Sequence, residues 1–321
     1  MTRIYTPITL TNSQSQASPS NFQQLIQTTI QYPNGVRFWS PTDGYLPAWL
    51  ESIQSNSANI WVKIPSSIPA NGTYQLYMIQ DSTLPMDGVY WGEAPQLSPT
   101  YGEYDNGANV FNFYDNFAGT SLNTNKWTAV TTGGSVTVNN GITIQDNGSG
   151  SGEGIVSKIG VSPNSVFEVY RESQGGGDTS TYALALFNTA TIQASISGYE
   201  YEGWTGGYFA STYTNWEDTT SISTATPFPS STPVVVGIAW LATGDEYTEI
   251  GSNGAFTHYT DSSLTISSSI YPGIGNSEDS AYVGQTDYWV RVRAYPPNGV
   301  MPTASFGTPQ YSGELITVTV P

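Results

Sequence analysis

The chain has 321 residues, of which 8 are Lys or Arg and 25 are Asp or Glu, with one His, no Cys and a formal net charge of −17. An ordinary soluble domain gives about a quarter of its residues to the four charged types, so polarity here rests on Ser, Thr, Asn, Gln and Tyr. The absent Cys and single His exclude thiol catalysis, Cys-bound zinc and multi-histidine metal sites, and a pI near 4.1 without a basic cluster argues against nucleic acid as a partner.

In chain order, the first element read from spacing is a short helix. Ser18-Pro19-Ser20-Asn21 offers a cap with Pro in the first turn, and Phe22, Leu25 and Ile26 have helical spacing. After that, period-two alternation dominates. Ile60, Val62 and Ile64 share one face of a strand over Asn59–Ile64, and Tyr74, Leu76 and Met78 share one face after the Asn71-Gly72 turn. Val110–Tyr114, Ser135–Val138 and Gly141–Ile144 repeat the pattern, the last two joined by the turn Asn139-Asn140-Gly141. Further strands are predicted at Val166–Glu172, Tyr182–Phe187, Thr191–Ile196, Pro233–Trp240, Leu264–Ile266, Ala281–Val283 and Tyr288–Arg293, and a last one at Glu314–Val320.

Many short strands punctuated by Gly and Pro indicate an all-β protein with two antiparallel β-sandwich domains of jelly-roll type and a C-terminal strand-bearing tail. Nine Trp and 22 Tyr supply large buried payloads for two such cores. The composition breaks near Trp91–Tyr101 and again at Pro296-Pro297-Asn298-Gly299, giving expected domains at 1–97 and 98–296 and a tail at 297–321. The terminal strand is expected to find a partner edge in its own domain or in a neighbour. No apolar run approaches 18 residues, so no membrane span is expected, and Met1-Thr2-Arg3-Ile4-Tyr5 does not read as a signal peptide.

Three groups of residues could carry chemistry. On Phe167–Glu172, alternation puts Glu168, Tyr170 and Glu172 on one face. A retaining glycosidase needs two carboxylates about 5 Å apart with one held protonated. Here a Tyr stands between the acids and Val166 shares their face, which favours an ordinary strand. The second group lies in the Gly-rich stretch Gly198–Phe209, read as a loop, and just beyond it. Tyr199, Tyr201, Trp204, Tyr208, Asn215 and Trp216 combine flat aromatic faces with amides, the residue types a glycan site needs. The same residues would serve a core or a subunit contact equally well. The third is a pair of N-glycosylation acceptors, Asn71-Gly72-Thr73 and Asn147-Gly148-Ser149, each also a good turn. No cofactor is expected. Calcium is the one cation left open, at Asp105, Asp115 or Asp218, although no loop spacing compels it. His258 sits in Ala255-Phe256-Thr257-His258-Tyr259, which has no nucleophile elbow.

A further signal is a set of motifs in order: Gly35-Val36-Arg37-Phe38-Trp39, then Leu46-Pro47-Ala48-Trp49-Leu50-Glu51, then Ala58-Asn59-Ile60-Trp61-Val62-Lys63-Ile64-Pro65, then Ile68-Pro69-Ala70-Asn71-Gly72-Thr73. Across about the first 90 residues, from a first strand at Pro7–Asn12, these resemble a domain-of-unknown-function family common in archaeal surface proteins. Phe113-Tyr114-Asp115-Asn116-Phe117 with Leu122 and Trp127 resembles the start of a concanavalin A-like sandwich. Tyr288-Trp289-Val290-Arg291-Val292-Arg293 resembles its closing strand, where relatives read Asp-Trp-Val-Arg-Val-Arg; here Tyr288 intervenes after Asp287. Hydrolases of that fold carry Glu-x-Asp-x-Glu on one strand, a pattern that Glu168-Val169-Tyr170-Arg171-Glu172 lacks at its centre.

The resemblance implies a non-enzymatic structural or attachment protein of an archaeal virus particle or cell-surface assembly. Such a protein would associate with itself or with other surface proteins, would contact host glycans, and would be located on the virion or the extracellular surface. The uncharged polar surface agrees, and below about pH 3 most of the acids would be neutral and the bases would dominate, so the net charge is positive there. Abundant Asn and Gln favour an acid setting over a hot one. A secreted carbohydrate-binding module or a degenerate glycoside hydrolase of the same fold is the alternative.

Overall fold

The computed structural model describes residues 3–131, 134–145, 153–173, 180–187, 198–204, 207–214, 217–224, 233–243, 245–250, 256–260, 269–278 and 284–312. The chain divides into two compact units, Met1–Asn112 with Arg293–Pro321 (unit 1) and Phe113–Val292 (unit 2). Both are β-sandwiches, as the alternation of the sequence predicts. Residues 98–112 lie in unit 1, and part of the expected tail pairs with that unit's first strand. The expected strands at Thr191–Ile196, Leu264–Ile266, Ala281–Val283 and Glu314–Val320 lie outside the described residues. Among the described residues no helix is long and apolar enough to cross a membrane.

Unit 1 opens with β1 (Ile4–Asn12), β2 (Phe22–Thr29), β3 (Val36–Ser40), β4 (Gly44–Leu46), β5 (Ala48–Gln54), β6 (Ser57–Ile64), β7 (Gly72–Gln80) and β8 (Trp91–Glu93), followed by the one-turn helix α1 (Gly107–Val110). Unit 2 contains β9 (Phe113–Asp115), β10 (Trp127–Val130), β11 (Ser135–Val138), β12 (Ile142–Gln145), β13 (Glu153–Ser157), β14 (Ser165–Ser173), β15 (Ser180–Phe187), β16 (Gly198–Trp204), β17 (Gly207–Thr214), β18 (Glu217–Thr224), β19 (Val234–Trp240), β20 (Asp245–Ile250), β21 (Phe256–Thr260), β22 (Tyr271–Glu278) and β23 (Gly284–Ala294). The chain then returns to unit 1 with β24 (Thr303–Phe306) and β25 (Gln310–Tyr311).

In unit 1 one sheet runs β24-β1-β7-β3-β4, with β25 also on β1, and the other runs β2-β6-β5-β8. Ile8, Leu10, Leu76, Met78 and Phe38 from the first sheet meet Phe22, Ile26, Ile60, Val62 and Trp91 from the second in one core. Each such side chain, fully buried, contributes about 1.5–3 kcal/mol. β2 corrects the expected helix. Phe22 and Ile26 are four residues apart, which places them on one face of a helix and equally on one face of a strand. Eight register pairs with β6 decide for the strand, and Leu25, which a helix would bury with them, is only half-buried.

β5 carries a bulge: Leu50 pairs with Ile60 and Ser52 with Asn59, leaving Glu51 as the extra residue. The core-facing phase accordingly moves from Ala48 and Leu50 to Ile53. The predicted strand Val110–Tyr114 is divided between the end of α1 and β9.

In unit 2 the two sheets run β10-β13-β22-β15-β16-β17-β18 and β11-β12-β23-β14-β19-β20-β21, with β9 also on β23. Trp127, Ile155 and Ile274 of the first face Ile142, Ile144, Phe167, Val169, Val236, Val290 and Val292 of the second. β23 also changes phase. Asp287 pairs with core-facing Ile142, whereas Val290 and Val292 are themselves core-facing and pair with Asp115 and Phe113. The alternation moves from odd to even numbers between Asp287 and Val290, where Tyr288 and Trp289 both meet the Tyr170 ring.

Candidate functional site

The row of β14 that a glycosidase would use for its acids is met residue by residue from β23. The Arg291 guanidinium donates through Nε to Glu168 Oε2 at 2.5 Å, and both side chains are 0% exposed. Tyr170 stacks on Trp289 with centroids 5.4 Å apart and planes 17° apart. Tyr288 donates its hydroxyl to Glu172 Oε2 at 2.6 Å. Burial, and next the acceptor Glu172, push the Tyr288 phenol up to about 12, so it remains a donor at any ordinary pH. The Arg291 guanidinium lies 4.8 Å above the Trp289 ring. On the core side of the same strands Arg171 clamps Asp287 through two bonds, Nε to Oδ1 at 2.6 Å and Nη2 to Oδ2 at 3.0 Å. The predicted face of Glu168, Tyr170 and Glu172 therefore exists, and each member has a partner on β23.

The aromatic stretch expected as a loop is a hairpin, β16 followed by β17. Alternating Tyr and Glu suits a pleated strand and outweighs the Gly content that suggested a loop. Tyr199 pairs with Thr212, Tyr201 with Ala210, Trp204 with Gly207 at the hairpin end, and Tyr208 with Gly203. β18 follows at the margin of the sheet. Asn215 and Trp216 lie outside the described residues, as does Asn147. Asn71 is exposed in the turn before β7, at φ 48°.

Two of the aspartates named for calcium, Asp105 and Asp115, accept from other groups. Asp105 Oδ1 accepts from Trp49 Nε1 at 2.8 Å and from the Gly107 N–H at 2.9 Å, in unit 1. Asp115 Oδ2 accepts from Trp127 Nε1 at 2.7 Å, with Lys126 Nζ at 3.8 Å, in unit 2. Asp218 pairs along the backbone with Tyr213. Among the described residues no group of three or more acidic or His side chains is placed to hold a metal ion. His258 lies on β21 opposite Tyr247.

The motif residues of the first 90 positions have structural work to do. The bulge at Glu51 aims its carboxylate at the indole of fully buried Trp61, which donates to Oε2 at 2.6 Å. Arg37 donates to Val36 O, Pro85 O and Asp87 Oδ2 at 2.7, 2.8 and 2.9 Å. Asp87 Oδ1 accepts the N–H groups of Val89, Tyr90 and Trp91 at 2.9, 2.8 and 3.0 Å. Burial alone would raise the Asp87 carboxyl, but these N–H groups and Arg37 together hold it below its ordinary value.

This ordered loop borders a cleft of about 150 Å³ that sequence reasoning missed, lined by Arg3, Arg37, Tyr45, Ile79, Leu84 and Tyr90. The Tyr45 and Tyr90 rings stand 5.6 Å apart, tilted by 50°, and are 37% and 38% exposed. Its members come from five separated stretches of the chain, so no local pattern announces it.

Residues 32–88 match the model of a family described as a domain of unknown function (DUF2341). A protein of Sulfolobus islandicus rod-shaped virus 1, named "Uncharacterized protein 562", is 28% identical over 350 residues covering 92% of this chain. The present chain spans 58% of that protein's length. Among solved structures, an endo-β-1,3-glucanase from Pyrococcus furiosus overlaps 59% of this chain and 95% of its own, at 12% identity and a TM-score of 0.46. A pseudo β-1,3-glucanase of Mycobacterium tuberculosis overlaps 57% and 98%, at 12% identity and a TM-score of 0.43. Likeness at this level says nothing about activity.

Proposed function

We propose that the chain is a non-enzymatic structural protein of an archaeal virus particle or a comparable extracellular surface assembly, and that it contacts host glycans. The observation that carries the non-enzymatic reading is the β14 row. Glu168 is sealed in an ion pair with Arg291, Tyr170 occupies the central position, and Glu172 accepts from Tyr288. A glycosidase acid must instead reach the scissile oxygen with a proton to give. The viral relative and the sparsely charged surface support the setting. Tyr199, Tyr201, Trp204, Tyr208, Asn215 and Trp216 supply stacking faces and amides for a glycan, and self-association or other surface proteins are the remaining partners.

Quantitative mass spectrometry of purified particles from an infected archaeal culture tests the location. A fixed copy number relative to the major coat protein is expected, and absence from the particle and from the cell surface would overturn it. Incubation with laminarin and lichenan tests the chemistry: release of reducing ends, lost in Glu172→Gln, would make the chain a hydrolase.

A further inference from the structure

The cleft in unit 1 lined by the paired rings of Tyr45 and Tyr90 has the features of a sugar platform. A pyranose presents apolar C–H faces and a rim of hydroxyls, so it is held by aromatic faces together with planar hydrogen-bonding groups. Two tyrosine rings, each more than a third exposed and tilted by 50° to one another, line it together with Ile79 and Leu84. The rim carries the guanidinium of Arg3, whose side chain is 42% exposed, whereas Arg37, 10% exposed, already donates to Val36 O, Pro85 O and Asp87. Each guanidinium is charge-matched, Arg3 by Asp81 and Arg37 by Asp87, both at 2.9 Å. The rim therefore offers N–H donors without a net positive field, which suits a neutral ring better than an anionic one. The volume would hold about five waters and lies below the about 300 Å³ at which sites for drug-sized ligands begin. It fits a single ring.

Rigidity is the second observation. Tyr90 is exposed, yet its loop is pinned from both sides. Asp87 accepts three consecutive backbone N–H groups, the N–H groups of Asp87 and Gly88 both donate to Trp91 O, Asn106 donates to Val89 O, and Asn109 donates to Gly88 O. An exposed aromatic gains nothing for the core from being fixed so tightly, whereas a preformed platform binds with less ordering cost. Val89 beside it is 52% exposed and extends the apolar surface.

We propose that this cleft binds one neutral pyranose residue of a glycan, with Tyr45 and Tyr90 as the stacking faces and Arg3 as a donor to its hydroxyls. It is separate from the aromatic positions of β16 and β17 and holds wherever the protein resides.

The test uses the full chain, titrated with the methyl glycosides of glucose, galactose and mannose and followed by NMR shift changes, alongside an array of neutral oligosaccharides. Tyr45→Ala and Tyr90→Ala should each weaken binding by at least about tenfold, the scale of losing one aromatic face. Tyr90→Phe should retain it, and so should Ile159→Ala, at an exposed position that belongs to neither candidate site. Both tyrosines are exposed enough for the variants to stay folded, which circular dichroism would check. Two outcomes would overturn the assignment: no neutral sugar bound, or binding unchanged in both alanine variants. If Tyr90→Ala abolished self-association while no sugar bound, the surface would belong to a second copy of the chain. Particle composition is a separate measurement, so failure here leaves the structural role standing.

Discussion

Glu168 and Arg291 show what one buried pair demands. Both are taken wholly out of water, so removing one leaves the other charged and uncompensated, which costs about 3–5 kcal/mol. Glu168→Gln should therefore lower stability by that order in urea unfolding, whereas the double change Glu168→Gln with Arg291→Met should recover much of it. Two carboxyls in unit 1 respond to pH in opposite senses. Hydrogen bonds from Thr83, together with Arg3, bring Asp81 down to about 2. Its folded value lies below its unfolded one, so its contribution is present above the ordinary carboxylate range and fades only as pH falls through about 2. Burial raises Glu93, with Asp105 and Glu103 adding to the effect. Its contribution is present at low pH and is lost as pH rises through its folded value. Glu93→Gln should accordingly raise Tm at pH 7 and leave it unchanged at pH 3, and Asp81→Asn should lower Tm at both.

At the scale of elements, Gly35 shows how tightly strands and turns interlock. A Cβ there would lie 1.8 Å from Asp81 O, the carbonyl next to the Asp81 N–H that donates to Gly35 O at 2.8 Å. Backbone cannot give way as a flexible side chain can, so Gly35→Ala should cost about 1–3 kcal/mol or more by chemical denaturation. The all-β class and most strands were legible because alternation marks them directly: Ile60, Val62 and Ile64 on β6, and Phe167 and Val169 on β14. Alternation fails where the phase slips. The extra residue at Glu51 and the phase change near Tyr288 turn one face into the other, and a single sequence carries no mark of that. It also fails where two periods agree, as with Phe22 and Ile26. The row of Glu168, Tyr170 and Glu172 could be read, but its partners could not, because Arg291 lies 123 positions away and is brought in only by the pairing of the sheet. The Tyr45–Tyr90 cleft was hidden for the same reason.

For the whole molecule, sparse charge and a pI near 4.1 place the solubility minimum in mild acid. Light scattering across pH 2 to 8 should show association peaking near that pI and receding on either side. β24 runs antiparallel along β1, from Ile8 with Phe306 to Thr11 with Thr303. Gln24 reaches the same return segment, donating to Pro302 O at 2.9 Å. Removal of residues 297–321 should lower the melting transition of unit 1 while that of unit 2 keeps its position, as calorimetry would resolve.

That return has a consequence for biosynthesis. Unit 2 is inserted within the sequence of unit 1, so a ribosome delivers β1 nearly 300 residues before the strand that covers its edge. During translation the nascent first sandwich must wait with that margin bare, a vulnerable template for wrong partners. The inserted unit can fold meanwhile. Slowing elongation between the two would therefore lengthen the exposure of β1 and favour misassembly of unit 1, while unit 2 would mature on schedule.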